Sequence, residues 1–315
     1  MGIFRAIINP LLPLVPRFLI DRVAQPYVAG DNLQAALETV ERNHAQGYES
    51  TLALLGEEVR DESIIREVVD EYCRTLEKLH ERGLSCGLSI KATHLGLRIN
   101  RDIALECFRA VAETARTHNT FIRLDMEDSS TTEDILWIYK ELKKDYARCG
   151  VVLQAMLKRT ESDIDDLLKS HEAPDVRICK GIYTESEDVA YLEYERVRES
   201  FKQCVRKLME GGARVGIATH DPELIDELFK DLGSDPDSQG RYELQTLLGV
   251  PVEKEMQSLV QRGQQVRVYI PYGPDWYAYS MRRLKENPKI MAYVIHNFFK
   301  KGFDISPKKL PPHQD

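Results

Sequence analysis

The chain has no C-x-x-C pair and no other cysteine spacing of a zinc site. Its six cysteines, Cys73, Cys86, Cys107, Cys149, Cys179 and Cys204, are scattered through 315 residues. Such thiols read as small hydrophobes in a reducing compartment and supply no ligand set for a structural metal. A basic excess is also missing. The formal net charge is -8, which excludes a general nucleic-acid binder, since that needs a positive field. No apolar run is clean enough to cross a membrane. The most apolar stretch, residues 1–20, holds two arginines and three prolines, which break a spanning helix. It has neither a basic start before a clean apolar run nor a small-residue cleavage site, so it is a poor secretory signal. Ala6 stands where an N-myristoylation pattern needs Ser or Thr. Two readings of the stretch stay open: a helical arm packing on the domain, or an amphipathic contact with a membrane surface.

Phosphate loops are absent too. No G-x-G-x-x-G opens a helix after a strand. The nearest candidate, Gly211-Gly212-Ala213-Arg214-Val215-Gly216, precedes a strand, and no Walker-type loop occurs. No tandem repeat, low-complexity stretch or Pro/Gly/Ser linker divides the chain. Residues 233–240 are loop-rich, and the tail from Ser306 is rich in Pro and Lys. The expected organisation is a helical arm over 1–45, one catalytic domain over 46–305 and a disordered tail over 306–315.

What the sequence does contain is alternation. Short apolar, often β-branched runs occur at 51–55, 86–90, 120–124, 151–155, 176–179, 213–218, 242–247 and 266–270. Most are separated by segments of helical periodicity, such as 67–80, 103–116, 132–148 and 190–209. In the first of these, Val68, Tyr72, Leu76 and Leu79 share one face. Thr132, with Glu133 and Asp134 just behind Ser130, marks a helix start, and Gly150 is expected to end that helix. Eight runs at βα spacing predict an α/β fold, a closed parallel (βα)8 barrel, over the competing doubly wound sheet.

A βα barrel places its chemistry at the C-terminal ends of its strands. The residues there are Glu57, Lys91, Asp125 with Glu127 and Asp128, Gln154, Arg177 and Lys180 with Tyr183, His220 with Asp221, Gln245 and Leu247, and Tyr269. Arg282 and Arg283 follow on a helix with Tyr279. Paired guanidiniums are suited to gripping a carboxylate or phosphate. Each position alone has a plainer reading. His220 fits a helix start. Asp125, Glu127 and Asp128 fit a metal site or a helix cap. Lys91 or Lys180 fits a Schiff base. Taken together, Lys91, Arg282 and Arg283, the amide of Gln154 and the aromatics Tyr183, Tyr269 and Tyr279 describe a pocket for a small anionic molecule with an apolar body. Three function classes remain open on these residues: a flavin oxidoreductase, a metal-dependent or Schiff-base barrel enzyme acting on a small carboxylic acid, and a non-catalytic docking protein.

The ordered motifs carry a resemblance. They are Leu55-Gly56-Glu57, Lys91 after an apolar run, Arg123-Leu124-Asp125-Met126-Glu127, Gln154, Arg177 followed by Lys180-Gly181-Ile182-Tyr183, Ala218-Thr219-His220, Tyr242-Glu243-Leu244-Gln245, Arg267-Val268-Tyr269 and Arg282-Arg283-Leu284-Lys285-Glu286-Asn287. Over about residues 30–300 the chain resembles the monofunctional proline dehydrogenases, flavin enzymes on a distorted (βα)8 barrel. The double-arginine helix with Glu286 is the most specific piece.

The resemblance implies an N-terminal helical arm, a C-terminal helix covering the active site, and FAD as cofactor. It implies that Arg282, Arg283 and Lys91 pair with the carboxylate of L-proline. Tyr183, Tyr269, Tyr279 and Leu247 would wall the ring, and Glu286 would orient Arg282. Asp125 would fix Lys91 or a nearby tyrosine. Glu57 would pair with Arg282 as part of a gate. Met126, Gln154, Arg177, Lys180, Gly181, Ile182, Thr219, His220 and Gln245 would hold FAD, with Arg177 near the flavin N5. A membrane quinone would accept the electrons, and a separate pyrroline-5-carboxylate dehydrogenase would perform the next oxidation, since no room for one follows the barrel. The location implied is cytoplasmic, peripheral on the inner face of the cell membrane. Two departures stand out: Ile182 where many relatives have Ala, and Asp221 where many have Asn. Tyr269 is expected to crowd a ring hydroxyl and so favour proline over 4-hydroxyproline.

Overall fold

Each of the eight apolar runs becomes a strand. A computed structural model describes residues 26–170, 173–233 and 235–286, and the side chains of residues 236 and 282–286 lie outside that description. The strands are β1 (Glu49–Leu54), β2 (Cys86–Ile90), β3 (Ile122–Leu124), β4 (Cys149–Gln154), β5 (Asp175–Cys179), β6 (Arg214–Ala218), β7 (Tyr242–Leu247) and β8 (Gln265–Tyr272). They pair in sequence order and all in parallel. The ring closes where β1 meets β8, with Thr51 opposite Tyr269. Parallel strands buried on both faces need continuous apolar runs rather than alternation, and the buried strings of β2 and β4 have that character.

The helices are α1 (Leu33–Ala45), α2 (Glu62–Glu81), α3 (Arg101–Thr117), α4 (Thr132–Asp145), α5 (Thr160–Ser170), α6 (Tyr194–Glu210), α7 (Pro222–Gly233), α8 (Glu253–Gln261) and α9 (Trp276–Glu286). α2 starts where Asp61 accepts the Ser63 N–H at 2.8 Å, an N-cap that satisfies an orphan donor. It buries Ile65, Val68, Tyr72, Leu76 and Leu79, the spacing of one helical face. α1 sends Ala36, Leu37 and Val40 into the same core as Leu52 and Val268. Residues 1–25 and 287–315 lie outside the described residues, and with them the membrane-contact reading of 1–20 and the tail. Among the described residues no helix is long and apolar enough to cross a membrane.

One expectation fails. Gly150 does not end a helix. α4 stops at Asp145, and Gly150 lies inside β4, opposite Arg123. A Cβ there would come 2.7 Å from the Asp175 carbonyl oxygen, 2.8 Å from the Phe121 ring and 2.9 Å from Arg123 Nη1. The glycine makes room for a close approach across the barrel wall.

The barrel interior is polar at its N-terminal end. Arg123 Nη2 donates to Asp175 Oδ1 at 2.6 Å, and Arg267 Nε and Nη2 donate to Glu243 Oε1 and Oε2 at 2.6 and 3.0 Å. Arg214 lies 3.6 Å from Asp175 and 3.5 Å from Glu243, bridging the two pairs. Burial pushes the Glu243 carboxyl up, but Arg267 and then Arg214 outweigh it and hold it down at about 2. This floor of paired charges supports what lies above it.

Candidate active site

At the C-terminal ends of the strands lies a cavity of about 360 Å³. It is lined by Glu57, Lys91, Asp125, Met126, Gln154, Arg177, Lys180, Gly181, Ile182, Tyr183, Thr219, His220, Gln245, Leu247, Tyr269 and Tyr279, so one cavity gathers every residue with a described side chain that the family resemblance assigns to the site, while Glu127 and Asp128 lie outside its lining. Val152, Cys179, Ala218, Asp221 and Thr246 complete the lining. Arg282, Arg283 and Glu286 lie on α9, which brings Tyr279 to the cavity, but their side chains fall outside the described residues.

The centre is a hydrogen-bonded cluster drawn from five strands. Asp125, at the end of β3, accepts from Ser89 Oγ at 2.5 Å, from Arg177 Nη1 at 2.9 Å and from the Tyr269 hydroxyl at 2.9 Å. Of the two expected partners of Asp125, the tyrosine is therefore the one it holds. Arg177 also donates from Nε to Gln245 Oε1 at 2.5 Å. Its remaining nitrogen, Nη2, is buried and has no hydrogen-bond partner among the described residues. Burial lowers the Arg177 pKa, with Asp125 opposing it. Burial, then the Asp125 charge, raises the Tyr269 phenol well above its ordinary value, so it is a neutral donor.

The β1 and β2 loops are tied together. Lys91 Nζ lies 3.6 Å from Glu57 Oε2. Gly56 (φ +154°) lets the chain cross the His94 imidazole; a Cβ there would fall 2.2 Å from His94 Nε2. Burial, and then Lys91, lowers His94 to about 4, so it stays neutral. Glu58 sits at φ +60°, uncommon for a residue with a side chain. Its amide donates to Thr93 Oγ1 at 3.0 Å, and its carboxylate takes Arg98 Nε at 2.9 and 3.0 Å. Glu127 accepts from the Thr93 amide at 3.0 Å and from the Thr93 hydroxyl.

Asp125, Glu127 and Asp128 thus have separate duties. Asp128 accepts from Arg98 and from the Ser130 amide at 2.9 Å ahead of α4. Among the described residues no group of three His, Cys, Asp or Glu side chains has the arrangement to hold a metal ion.

On the β5–β6 side, Lys180 Nζ lies 3.0 Å from Asp221 Oδ2 and 4.5 Å from the centre of the Tyr194 ring. The Tyr194 hydroxyl donates to the same carboxylate at 2.8 Å. Arg198 Nε lies 3.1 Å away as an ion pair, not aligned as a hydrogen bond. His220 Nε2 accepts the Leu247 amide at 2.9 Å, which places the ring proton on Nδ1. Gln154 Nε2 donates to the Glu127 carbonyl at 2.8 Å. Gly181 turns at φ +110°, where a Cβ would strike Met156. Ile182, 49% exposed, sits on the rim.

Sequence reasoning missed Ser89, Thr93, Tyr194 and Arg198. Ser89 had a signal: it lies two residues before Lys91 in β2, the spacing of one strand face. The partners of the others lie on the neighbouring βα unit and became visible only in the folded barrel.

Comparison with known proteins identifies the family. The family model described as proline dehydrogenase matches residues 36–294. Proline dehydrogenase 2 of Bacillus subtilis (strain 168) is 37% identical over 277 residues, covering 87% of this chain and 89% of the relative. Proline dehydrogenase of Deinococcus radiodurans is 31% identical over 300 residues, covering 93% of this chain and 95% of the relative. The fold is shared with the crystal structure of proline utilization A from Bdellovibrio bacteriovorus inactivated by N-propargylglycine, with a TM-score of 0.76 at 20% identity. That match covers 90% of this chain but 34% of the larger one. By family match and by identity over most of its length, the chain belongs to the proline dehydrogenase family.

Proposed function

We propose that the cavity binds L-proline against FAD and oxidises the proline to Δ1-pyrroline-5-carboxylate. The observation that carries the cofactor is Arg177: a buried guanidinium lining the cavity, fixed by Asp125 and Gln245, with Nη2 left unpartnered among the described residues. A buried unpaired donor is costly without a ligand acceptor, and electron-rich ring nitrogens and carbonyls of a flavin supply one. The residues present therefore fit the group. FAD, when bound, supplies the hydride acceptor.

The protein's own part is placement and charge. Lys91, with Arg282 and Arg283 from α9, holds the carboxylate of the substrate, and Glu57 steers the lysine. Asp125 fixes the Tyr269 hydroxyl so that the phenol forms a rigid wall rather than a mobile one. Tyr183, Leu247 and Tyr279 exclude water from the ring. Lys180, Thr219, His220 and Gln154, which line the same cavity, would hold FAD. The proline nitrogen must be neutral when hydride leaves its neighbouring carbon, so kcat/KM rises with pH until that proton is gone. Electrons pass on to a membrane quinone, the enzyme working from the cytoplasmic face, and a separate dehydrogenase consumes the product.

An absorbance spectrum of the purified protein, before and after anaerobic addition of L-proline, tests this directly. Flavin bands that bleach with proline are the expected result. Bands that stay oxidised remove proline as substrate. A colourless protein that remains so after incubation with FAD sinks the flavin reading.

A further inference from the structure

Glu243 is buried near the floor of the barrel, while Arg177 lines the cavity above it. Gln245 connects them. Its Nε2 donates to Glu243 Oε1 at 2.6 Å, and its Oε1 accepts from Arg177 Nε at 2.5 Å. The two neighbours differ in kind. A carboxylate only accepts and a guanidinium only donates, so one orientation of the Gln245 amide satisfies both and the flipped one satisfies neither. Arg267 fixes the lower end, gripping both oxygens of Glu243 from Nε and Nη2. Paired this way, Glu243 remains the charged acceptor the chain requires.

The space for this chain is built in. Gly216 pairs with Glu243 across β6 and β7. A Cβ at Gly216 would lie 2.4 Å from Gln245 Nε2 and 2.8 Å from its Cδ. The Gln245 amide therefore packs over a strand residue that has no side chain.

We propose that Glu243 is a positioning residue for the reaction: through Gln245 it fixes the height and orientation of Arg177, and so sets how much positive charge faces the flavin. This rests on the reading of Arg177 as the flavin-facing group. Glu243 touches neither substrate nor cofactor. Its influence reaches the reacting atoms through two hydrogen bonds, and a well-placed cation favours the cofactor form that carries the added electrons.

The test is the midpoint potential of the flavin in purified holoenzyme at saturating FAD, for wild type, Glu243→Gln and Gly216→Ala. Glu243→Gln keeps the shape but no longer dictates the Gln245 orientation. Gly216→Ala displaces Gln245 and leaves every charge in place, so it reports even where Glu243→Gln fails to fold. Both variants are expected to bind a flavin that is harder to reduce. A tenfold lower reduced-to-oxidised ratio corresponds to about 30 mV for a two-electron couple. Unchanged potentials in flavin-loaded variants overturn the inference and leave the proposed function standing. A wild-type protein that takes up no flavin overturns both.

Discussion

The two ends of this barrel are both lined with charge, yet they are built to different rules. At the floor every ionic group has a counter-ion: Arg123 with Asp175, Arg267 with Glu243, and Arg214 bridging the two. At the mouth the pairing is left incomplete. Among the described residues Arg177 has a nitrogen without a hydrogen-bond partner, and the carboxylate paired with Lys91 lies 3.6 Å away. Buried charge that is fully paired holds strands in register. Buried charge with a donor in reserve is a place for a ligand. What separates scaffold from site here is how many of the polar atoms are already satisfied, not how polar or how buried the region is.

The sharpest way to break the comparison is to unpair the floor. Glu243→Ala leaves Arg267 buried without its carboxylate, and loss of one partner of a buried pair costs about 3–5 kcal/mol. Urea denaturation should show that loss, and a variant as stable as wild type would refute the scaffold role. Arg177→Lys should do the opposite. It keeps a cation beside Asp125 but removes the spare guanidinium donor, so the fold survives, while turnover of proline falls by about 10²–10³-fold, the usual cost of losing a preorganised charge-stabilising donor. A large drop in stability with modest loss of turnover would place Arg177 with the floor instead.

Acid separates the two ends as well. Glu243 is depressed to about 2 in the folded chain, so its contribution is complete above the unfolded carboxyl value of about 4.3 and is lost as pH falls from there through 2. His94, beneath the mouth loop, is depressed to about 4. Its stabilisation is complete above about 6.5 and is lost as pH falls through 4, a change of about 3 kcal/mol. The mouth therefore weakens first on acidification. His94→Gln should flatten stability between pH 6.5 and 4 while leaving the limb below pH 4; an unchanged upper limb would show that His94 is not its source.

Much of the fold was legible because each strand is a compact apolar run, and β2 and β7 match the predicted 86–90 and 242–247. β3 is shorter than expected, since Thr120 and Phe121 belong to the approach and only Ile122–Leu124 pair. Gly150 misled because a glycine after a helix and a glycine at a crowded wall look alike in sequence. The site residues were legible as polar positions at strand ends and as family motifs. Their partners were not. Glu243 and Arg267 stand 24 residues apart, Arg177 and Gln245 68, and Ser89 and Arg177 88. Glu243 and Arg267 meet because β7 pairs with β8, the other two pairs because strands that are not neighbours face one barrel interior, and no local periodicity encodes either. Gly216 carried a faint signal, a glycine inside a strand, which marks a close approach but does not say to what.

Tyr269 spans the contrast, with its ring at the mouth and its hydroxyl spent on Asp125. Phe in its place removes one hydrogen bond and leaves Asp125 still held by Ser89 and Arg177. The expected cost is about 1 kcal/mol, roughly fivefold in kcat/KM for proline. The same ring is expected to exclude a hydroxyl on the substrate, so Tyr269→Ser should narrow the gap between proline and 4-hydroxyproline by weakening the first and admitting the second. Steady-state kinetics with both substrates decide it. A wild-type enzyme that turns over 4-hydroxyproline as efficiently as proline would mean that Tyr269 does not press on that part of the ring, and that its place is with the paired scaffold below rather than with the open donors above.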